Sequence, residues 1–319
     1  MTKTAPRTHI HRPICRGLFA ALLMALGLWL SQVSTPGRSP EGCLQGCGRE
    51  EISSKAGSLR VLSFNMLHGF PDFTDLKLRL ELIGQEIERL QADVVLLQET
   101  PWTLQTGMAA EALAQRLGMN YAYQRANGGR YSILFEEGEA ILSRYPLTVL
   151  EWVELKPAAG WFENRVALAA QTQTPYGPLW LVSTHLTTQD GEVEAGQSEA
   201  LISFVASLEG SLVLVGGDFN RDPAVLAQEA TPPWDDPLGR LQPGPDRLTC
   251  CIDDRQAAAE DVEKAIDAIL IAGGLPALEA AGWRVATANR VFNQPILTIQ
   301  GWLWLSDHIG VLLELERIP

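Results

Sequence analysis

From Leu59 onward, short apolar runs alternate with longer amphipathic stretches. LRVLSFNML (59–67) predicts a strand. DLKLRLELIGQEIERLQ (75–91) places Leu78, Leu82, Ile83, Ile87 and Leu90 near a 3.6-residue period and predicts a helix with one apolar face. ADVVLLQET (92–100) reads as a buried strand that ends on polar residues. EAILSRYPL (139–147), RVALAAQTQT (165–174) and PLWLVSTHL (178–186) predict further strands, the last two joined by a turn at Tyr176, Gly177 and Pro178. VEAGQSEALISFVASLEG (193–210) predicts a second helix. SLVLVGGDFN (211–220) and KAIDAILIAG (264–273) predict strands again. WLWLSDHIGVLLEL (302–315) is apolar strand material broken by Ser306, Asp307 and His308. Side chains alternate along a strand, so Asp307 and His308 serve one pocket only if the chain bends between two strand pieces, and Gly310 eases such a bend.

The recurring pattern carries more than any single element. Strand after strand is apolar and then ends on polar or acidic residues: Asn65, Gln98-Glu99, His185, Asp218 and Asn220, Asp307-His308. Strands that end this way gather polar groups at one sheet edge, the usual place for a ligand site in α/β folds. Taken singly, a Glu or Asp at a strand end is a solvated turn residue or a helix cap, and a lone His is a packed or surface side chain. The joint pattern points elsewhere. His occurs at positions 9, 11, 68, 185 and 308, and two of the three that follow the terminal segment sit on apolar strands beside polar partners.

Charge narrows the partners. The net charge is −13, but residues 1–57 carry +4, which leaves −17 on the remainder. A body that acidic is poorly suited to non-specific attraction of nucleic acid, which phosphate neutralisation normally dominates. A local cation bridging to phosphate would change that.

The amino terminus has the three-part layout of an export signal: cations, an apolar core from Gly17 to Leu30, then a polar stretch. A helix over 17–30 would be about 21 Å long, short of the roughly 30 Å hydrocarbon core of a bilayer. Residues 1–33 are expected to be a cleaved signal or a retained membrane anchor, and residues 34–57, rich in Pro, Gly and Ser, a flexible linker before a catalytic domain at 58–319. The catalytic domain would then lie outside the cytoplasm, secreted, periplasmic or anchored. Adjacent Cys250 and Cys251 would form a tight ring if joined, so they are expected to be free or paired elsewhere. Neither they nor Cys43 and Cys47 have zinc spacing with a His.

Glu99, Asp218, Asp267 and Asp307, if gathered, would repel one another by several kcal/mol at low effective dielectric. A divalent cation is the simple remedy. All-oxygen ligation without Cys favours Mg²⁺, Mn²⁺ or Ca²⁺ over zinc. A hard cation beside His and Asn suits phosphoryl chemistry, in which the metal neutralises phosphate and a base activates water.

The ordered set SFN, QE, GEAILSRYP, STHL, GDFN, IDAIL and SDH resembles the endonuclease/exonuclease/phosphatase superfamily across about residues 58–319. The resemblance implies a four-layer α/β sandwich of two packed mixed sheets flanked by helices. It implies an Mg²⁺- or Mn²⁺-dependent phosphoester hydrolase. By resemblance, Asn65, Glu99 and Asp307 sit at the metal, with Glu99 the direct ligand. His308 contacts the scissile phosphate and Asp267 holds its ring. Asp218 orients or deprotonates the attacking water, Asn220 donates to a phosphoryl oxygen, and His185 is a general acid or phosphate clamp. Arg165 reads equally as a phosphate contact or a carboxylate partner, and His68 as a turn residue that could add a phosphate contact. The chain departs from relatives at Gln197, which lacks a preceding Arg, and at Ala268, where an aromatic is usual. These departures bear on the substrate.

Three substrates fit: nucleic acid, a phospholipid head group or a small phosphodiester. The loop expected at KPAAGWFENR (156–165) presents Trp161 and Phe162 together, and an exposed aromatic pair there would stack on a base or enter a membrane interface, or else the two fill the core. Membrane association through residues 17–30 is a further expectation, and no protein partner is expected. A non-catalytic binding domain is the alternative of another class, which the retained polar set argues against.

Overall fold

The structure, a computed structural model, describes residues 22–27, 33–48 and 57–318. Its strands are β1 Glu41–Cys43, β2 Ser58–Asn65, β3 Val94–Thr103, β4 Gly107–Met108, β5 Asn120–Gly129, β6 Phe135–Ser143, β7 Leu147–Gly160 and β8 Glu163–Thr174. They continue with β9 Gly177–His185, β10 Val213–Asp218, β11 Asp267–Ile271, β12 Trp283–Val291, β13 Ile296–Thr298, β14 Gly301–Leu303 and β15 Gly310–Arg317. One sheet has the order β1-β5-β6-β3-β2-β15-β12, with β4 paired to β3; the other has the order β11-β10-β9-β8-β7; β13 and β14 form a separate pair. Each main sheet contains one parallel pair, β2 with β3 and β9 with β10.

Alternation along the strands sets the layers. In β2, Val61 faces the other sheet while Leu62 faces outward. Val61, Leu96, Ile141, Leu168, Leu181, Leu214, Ile269 and Leu313 fill the space between the sheets. Outside the first sheet, Leu62, Val95 and Leu97 pack on Ile83 and Ile87 of the helix Leu76–Leu90 and on Leu113 of the helix Ala109–Leu117. Outside the second, Val182, Val215 and Leu270 lie under Leu201 and Val205 of the helix Glu192–Ser207. Helix, sheet, sheet and helix give the expected four-layer sandwich.

Two glycines set how closely the strands approach near the site. A Cβ on Gly216 would lie 2.5 Å from Leu96 Cδ1 of the opposite sheet, and one on Gly217 would lie 2.6 Å from the Thr184 carbonyl oxygen of β9. Only glycine lets β10 sit this near both neighbours.

Several expectations change. The stretch 34–57, expected to be a flexible linker, is structured over the part described. Strand β1 pairs with β5, Gly37 N–H donates to the Arg125 carbonyl at 2.8 Å, and Cys43 bonds to Cys47. The KPAAGWFENR stretch is mostly strand, with only Trp161 and Phe162 in the turn between β7 and β8. Cys250 and Cys251 are joined to each other, contrary to expectation, their Cα atoms 3.0 Å apart. The proposed signal or anchor falls largely outside the described residues. Of it, residues 22–27 are helical and exposed. Among the described residues no helix is long and apolar enough to cross a membrane.

Candidate active site

Strand register lines up the site. In the second sheet Asp218, at the end of β10, stands opposite His185 of β9 on one side and Asp267 of β11 on the other. In the first sheet Asn65, at the end of β2, stands opposite Gln98 of β3. The next residue, Glu99, sits in a β-bulge between Leu97 and Thr100, with φ of 52°. A non-glycine residue in this left-handed region stores strain, and here the bulge re-aims a carboxylate out of the pleat. Asn220 repeats the device after β10, with φ of 51° and its N–H donated to Asp218 Oδ1 at 3.0 Å.

A chain of hydrogen bonds and ion-pair contacts then crosses from one sheet to the other. Asn65 Nδ2 donates to Glu99 Oε1 at 3.2 Å and to Asp218 Oδ2 at 3.0 Å. Asp218 Oδ2 lies 3.3 Å from His185 Nε2 and 3.5 Å from His308 Nε2. His308 Nδ1 faces both oxygens of Asp267, at 3.1 and 3.0 Å. His308 itself is delivered by the bend between β14 and β15, where the Ser306 hydroxyl accepts from His308 N–H and donates to Asp307 Oδ1.

The protonation states follow from these contacts. Burial works against a charge on His308, but Asp267 and then Asp218 outweigh it and hold its pKa well above the ordinary imidazole value. His185 goes the other way: burial, then the Arg165 guanidinium, push it well below that value. Arg165 Nη1 lies 2.9 Å from His185 Nδ1, and arginine only donates. Nδ1 is therefore the acceptor, Nε2 carries the proton, and it points to Asp218. The Asn220 amide nitrogen also lies 3.0 Å from Nε2; with Nε2 protonated that contact is between two donors, and the amide's hydrogen bond goes to the Leu186 carbonyl at 2.9 Å. Burial, reinforced by Asp267, pushes Asp218 above the carboxylate range. At Glu99 burial acts in the same sense, but His68, His185 and His308 together reverse it and hold the group at about 2.

A hard cation fits one part of this set. Glu99 is ionised and its side chain is 18% exposed. It accepts the Asn65 amide on one oxygen and the His68 N–H on the other, so lone pairs remain on both. Asp307 spends one oxygen on Ser306, and Glu99 and Asp307 both act electrostatically on the nearby Arg79. Asp218, Asp267 and His308 form a tighter group, their ligand-type atoms within 4.8 Å of one another. There one imidazolium stands between two carboxylates and offsets part of their charge. Asn65 lies beside Glu99: its Oδ1 accepts from Leu67 N–H at 3.0 Å and its NH₂ ties the two carboxylates together.

The structure thus brings Asn65, Glu99, His185, Asp218, Asn220, Asp267 and His308 into one network, with Asp307 beside it. It also answers the open residues. Arg165 contacts His185 and lies 3.6 Å from Glu163. His68 accepts from Phe70 N–H through Nδ1, as a turn residue does, and presents Nε2 to Glu99 at 3.5 Å. Gln197 accepts from Thr187 N–H and donates to the Pro157 carbonyl, so it fixes the loop after β9. Ala268 is buried in the outer core of the second sheet.

Sequence reasoning missed two neighbours. Arg79 is fully buried and donates to the Met66 and Leu305 carbonyls through Nη1 at 2.8 and 2.9 Å, and to the Leu67 carbonyl through Nη2 at 2.8 Å. Burial and Arg255 lower its pKa to about 10, so it stays cationic at neutral pH. It ties the loop after Asn65 to the segment before Ser306. The signal was present: Arg79 stands four residues before Ile83, a cation on the apolar stripe of its helix. Cys250, whose sulfur lies 3.7 Å from His308 Nε2, carried no such signal.

Comparisons agree with this geometry. The sequence profile described as "Endonuclease/Exonuclease/phosphatase family" matches residues 62–308. No curated protein matches the chain by sequence. Among solved structures, an endonuclease/exonuclease/phosphatase family protein from Bacteroides thetaiotaomicron superposes with a TM-score of 0.63 at 15% identity, covering 82% of this chain and 98% of that one. A humanized D. rerio TDP2 gives 0.61 at 18% identity, covering 82% and 100%. D. rerio TDP2 complexed with single strand DNA product gives 0.61 at 17%, covering 82% and 99%. At these identities the likeness is one of fold.

Proposed function

Since the chain belongs to the endonuclease/exonuclease/phosphatase family of phosphoester hydrolases, we propose that it hydrolyses phosphodiesters with the help of Mg²⁺ or Mn²⁺. The observation that carries this reading is the unbroken chain Glu99–Asn65–Asp218–His308–Asp267 across the two sheets.

Its residues divide the work. Asp218, with its proton affinity raised by burial, accepts the proton of the attacking water as that oxygen bonds to phosphorus. His308, kept cationic by Asp267, donates from Nε2 to a phosphoryl oxygen on which charge develops. Neutral His185, its tautomer fixed by Arg165, offers a second Nε2–H. Asn65 keeps Glu99 and Asp218 in register. Glu99 and Asp307 would hold the cation, which supplies Lewis-acid neutralisation of the phosphate. The ester bond to the leaving oxygen then breaks, and that oxygen is protonated from solvent.

A nucleic-acid substrate is supported by the fold likeness to a protein solved with a DNA product, and opposed by the −17 body. An exported location is supported by the disulfides Cys43–Cys47 and Cys250–Cys251, which suit an oxidising compartment. The test is turnover of bis-p-nitrophenyl phosphate by the full chain with Mg²⁺ or Mn²⁺. Activity is expected to vanish with a chelator and in Asp218→Asn. Full turnover after exhaustive chelation would remove the metal from the mechanism.

A further inference from the structure

Beside the hydrogen-bonded network lies a group of aromatic rings that the mechanism leaves unused. Phe70 and Phe73 come from the loop after β2, Phe135 from the start of β6, and Trp161 and Phe162 from the turn between β7 and β8. Phe70 stacks on Phe135, with ring centroids 4.6 Å apart and planes 21° from parallel. Phe73 and Phe162 flank Phe70 at 5.9 and 6.3 Å, and Trp161 follows Phe162 at 6.0 Å. The rings grade from buried to open: Phe135 is 1% exposed, Phe70 42% and Trp161 56%. At its buried end the group touches the site, because the Phe135 ring meets His68 edge-on at 5.1 Å and His68 faces Glu99.

Three segments distant in sequence therefore converge to hold large rings partly in water. Contiguous exposed apolar surface of this kind marks a binding site more often than a packing defect. The stacking is also directional. Phe70 covers Phe135 with one face, and a further flat ring would extend that pile. We propose that this shelf is a subsite for a planar aromatic group carried by the phosphoester, a nucleobase or an aryl ester, seated on Phe70 and Trp161 while the phosphate lies at His185 and His308. The proposal rests on the phosphodiesterase reading above. Charge supports it as well. A body at −17 gains little from a phosphate backbone, so affinity for such a substrate must come from elsewhere. Stacking on exposed rings supplies about 5- to 100-fold per base. A lipid surface suits the shelf less well, because Phe73, Phe135 and Phe162 fix the tilt of the Phe70 ring instead of leaving it free to insert.

The experiment uses the full chain carrying Asp218→Asn to block turnover, with Mg²⁺ present, and titrates thymidine 5′-monophosphate, ribose 5-phosphate and phenyl phosphate by calorimetry. Thymidine monophosphate should bind about 5- to 100-fold tighter than ribose phosphate. Phe70→Leu and Trp161→Ala, on the same background, should reduce that preference to near unity. Trp161 is more than half exposed, so its replacement leaves the fold intact even where Phe70→Leu does not. A matching gain for phenyl phosphate assigns the shelf to any aryl group, and a gain for thymidine monophosphate alone assigns it to a nucleobase. Equal binding of thymidine and ribose phosphates overturns the proposal, as does sedimentation with phosphatidylcholine vesicles that both substitutions abolish while the base preference stays. Loss of bis-p-nitrophenyl phosphate turnover in the unsubstituted chain is the separate failure of the phosphodiesterase reading.

Discussion

At the scale of single residues, one carboxylate governs the charge on a catalytic imidazole. Asp267 contributes most to keeping His308 protonated. A raised imidazole pKa means the charged form persists below that value and is lost as pH rises through it. Asp267→Asn should therefore lower kcat by about 10²-fold or more and move the alkaline limb of the kcat/KM profile to lower pH. An unmoved limb would deny Asp267 this role. Arg79 acts at one remove, through the backbone it grips. Arg79→Met leaves three buried carbonyls without their partner, and should cost about 3 kcal/mol, read as a fall of roughly 6–12 °C in Tm. Both kcat and folding cooperativity should suffer, because Met66, Leu67 and Leu305 flank the site on two sides. An unchanged Tm would show that water replaces the guanidinium without loss. Asn65, Asp218 and His308 were legible because strand ends on apolar runs gave them away. The bonds that define their work were not: nothing in SFN says that the amide nitrogen of Asn65 would face two carboxylates, since that depends on how two sheets meet.

At the scale of elements, the central strands were legible and the edges less so. β2, β3, β9 and β10 are buried on both faces and read as continuous apolar runs. β5 and β12 mix polar and apolar positions, and only pairing in the sheet identifies them. Likewise the bulge at Glu99 leaves no mark in QET, because it is set by the register of β3 against β6. GGDFN, by contrast, carried more structure than its chemistry suggested. Gly217 sits where a Cβ would press on the Thr184 carbonyl, a backbone atom that cannot swing aside. Gly217→Ala should push β10 from β9, at a cost of about 1–3 kcal/mol. It should also part Asp218 from His185, so kcat should fall by more than Tm alone explains. Gly216→Ala presses hardest on the Leu96 Cδ1 methyl, a side-chain end that can turn away, and only at 3.1 Å on the fixed Ser63 Cβ, so it should be milder. Thermal melts and kcat measured side by side check the order; equal effects would show that the constraint is not backbone contact.

At the scale of the whole molecule, the acidic balance continues into the core. Glu137 and Glu139 lie on β6, 6% and 2% exposed, facing the inter-sheet space behind the site. Burial raises both, Glu139 most strongly; Glu137 raises Glu139 further against the pull of Ser183 and Arg165, while Glu99 raises Glu137 against the pull of His68, Arg165 and Asn127. A carboxyl group with a raised folded pKa binds more protons folded than unfolded. Its contribution to stability is thus full below the ordinary carboxylate range and is lost as pH rises through the raised value. Glu99, held at about 2, works in the opposite sense and loses its contribution only in strong acid. The two buried carboxyl groups therefore favour mild acid over mild alkali, against His185, whose lowered pKa costs stability as pH falls below the ordinary imidazole range. Glu139→Gln isolates the cause, because the amide oxygen still accepts from the Ser183 hydroxyl while the ionisable group is gone. In chelator, the variant should melt about 2–4 °C above the parent at pH 8, equivalent to about 1 kcal/mol, and match it near pH 5. An equal gain at both pH values would mean that the burial of a polar group, and not its ionisation, sets the cost at this position.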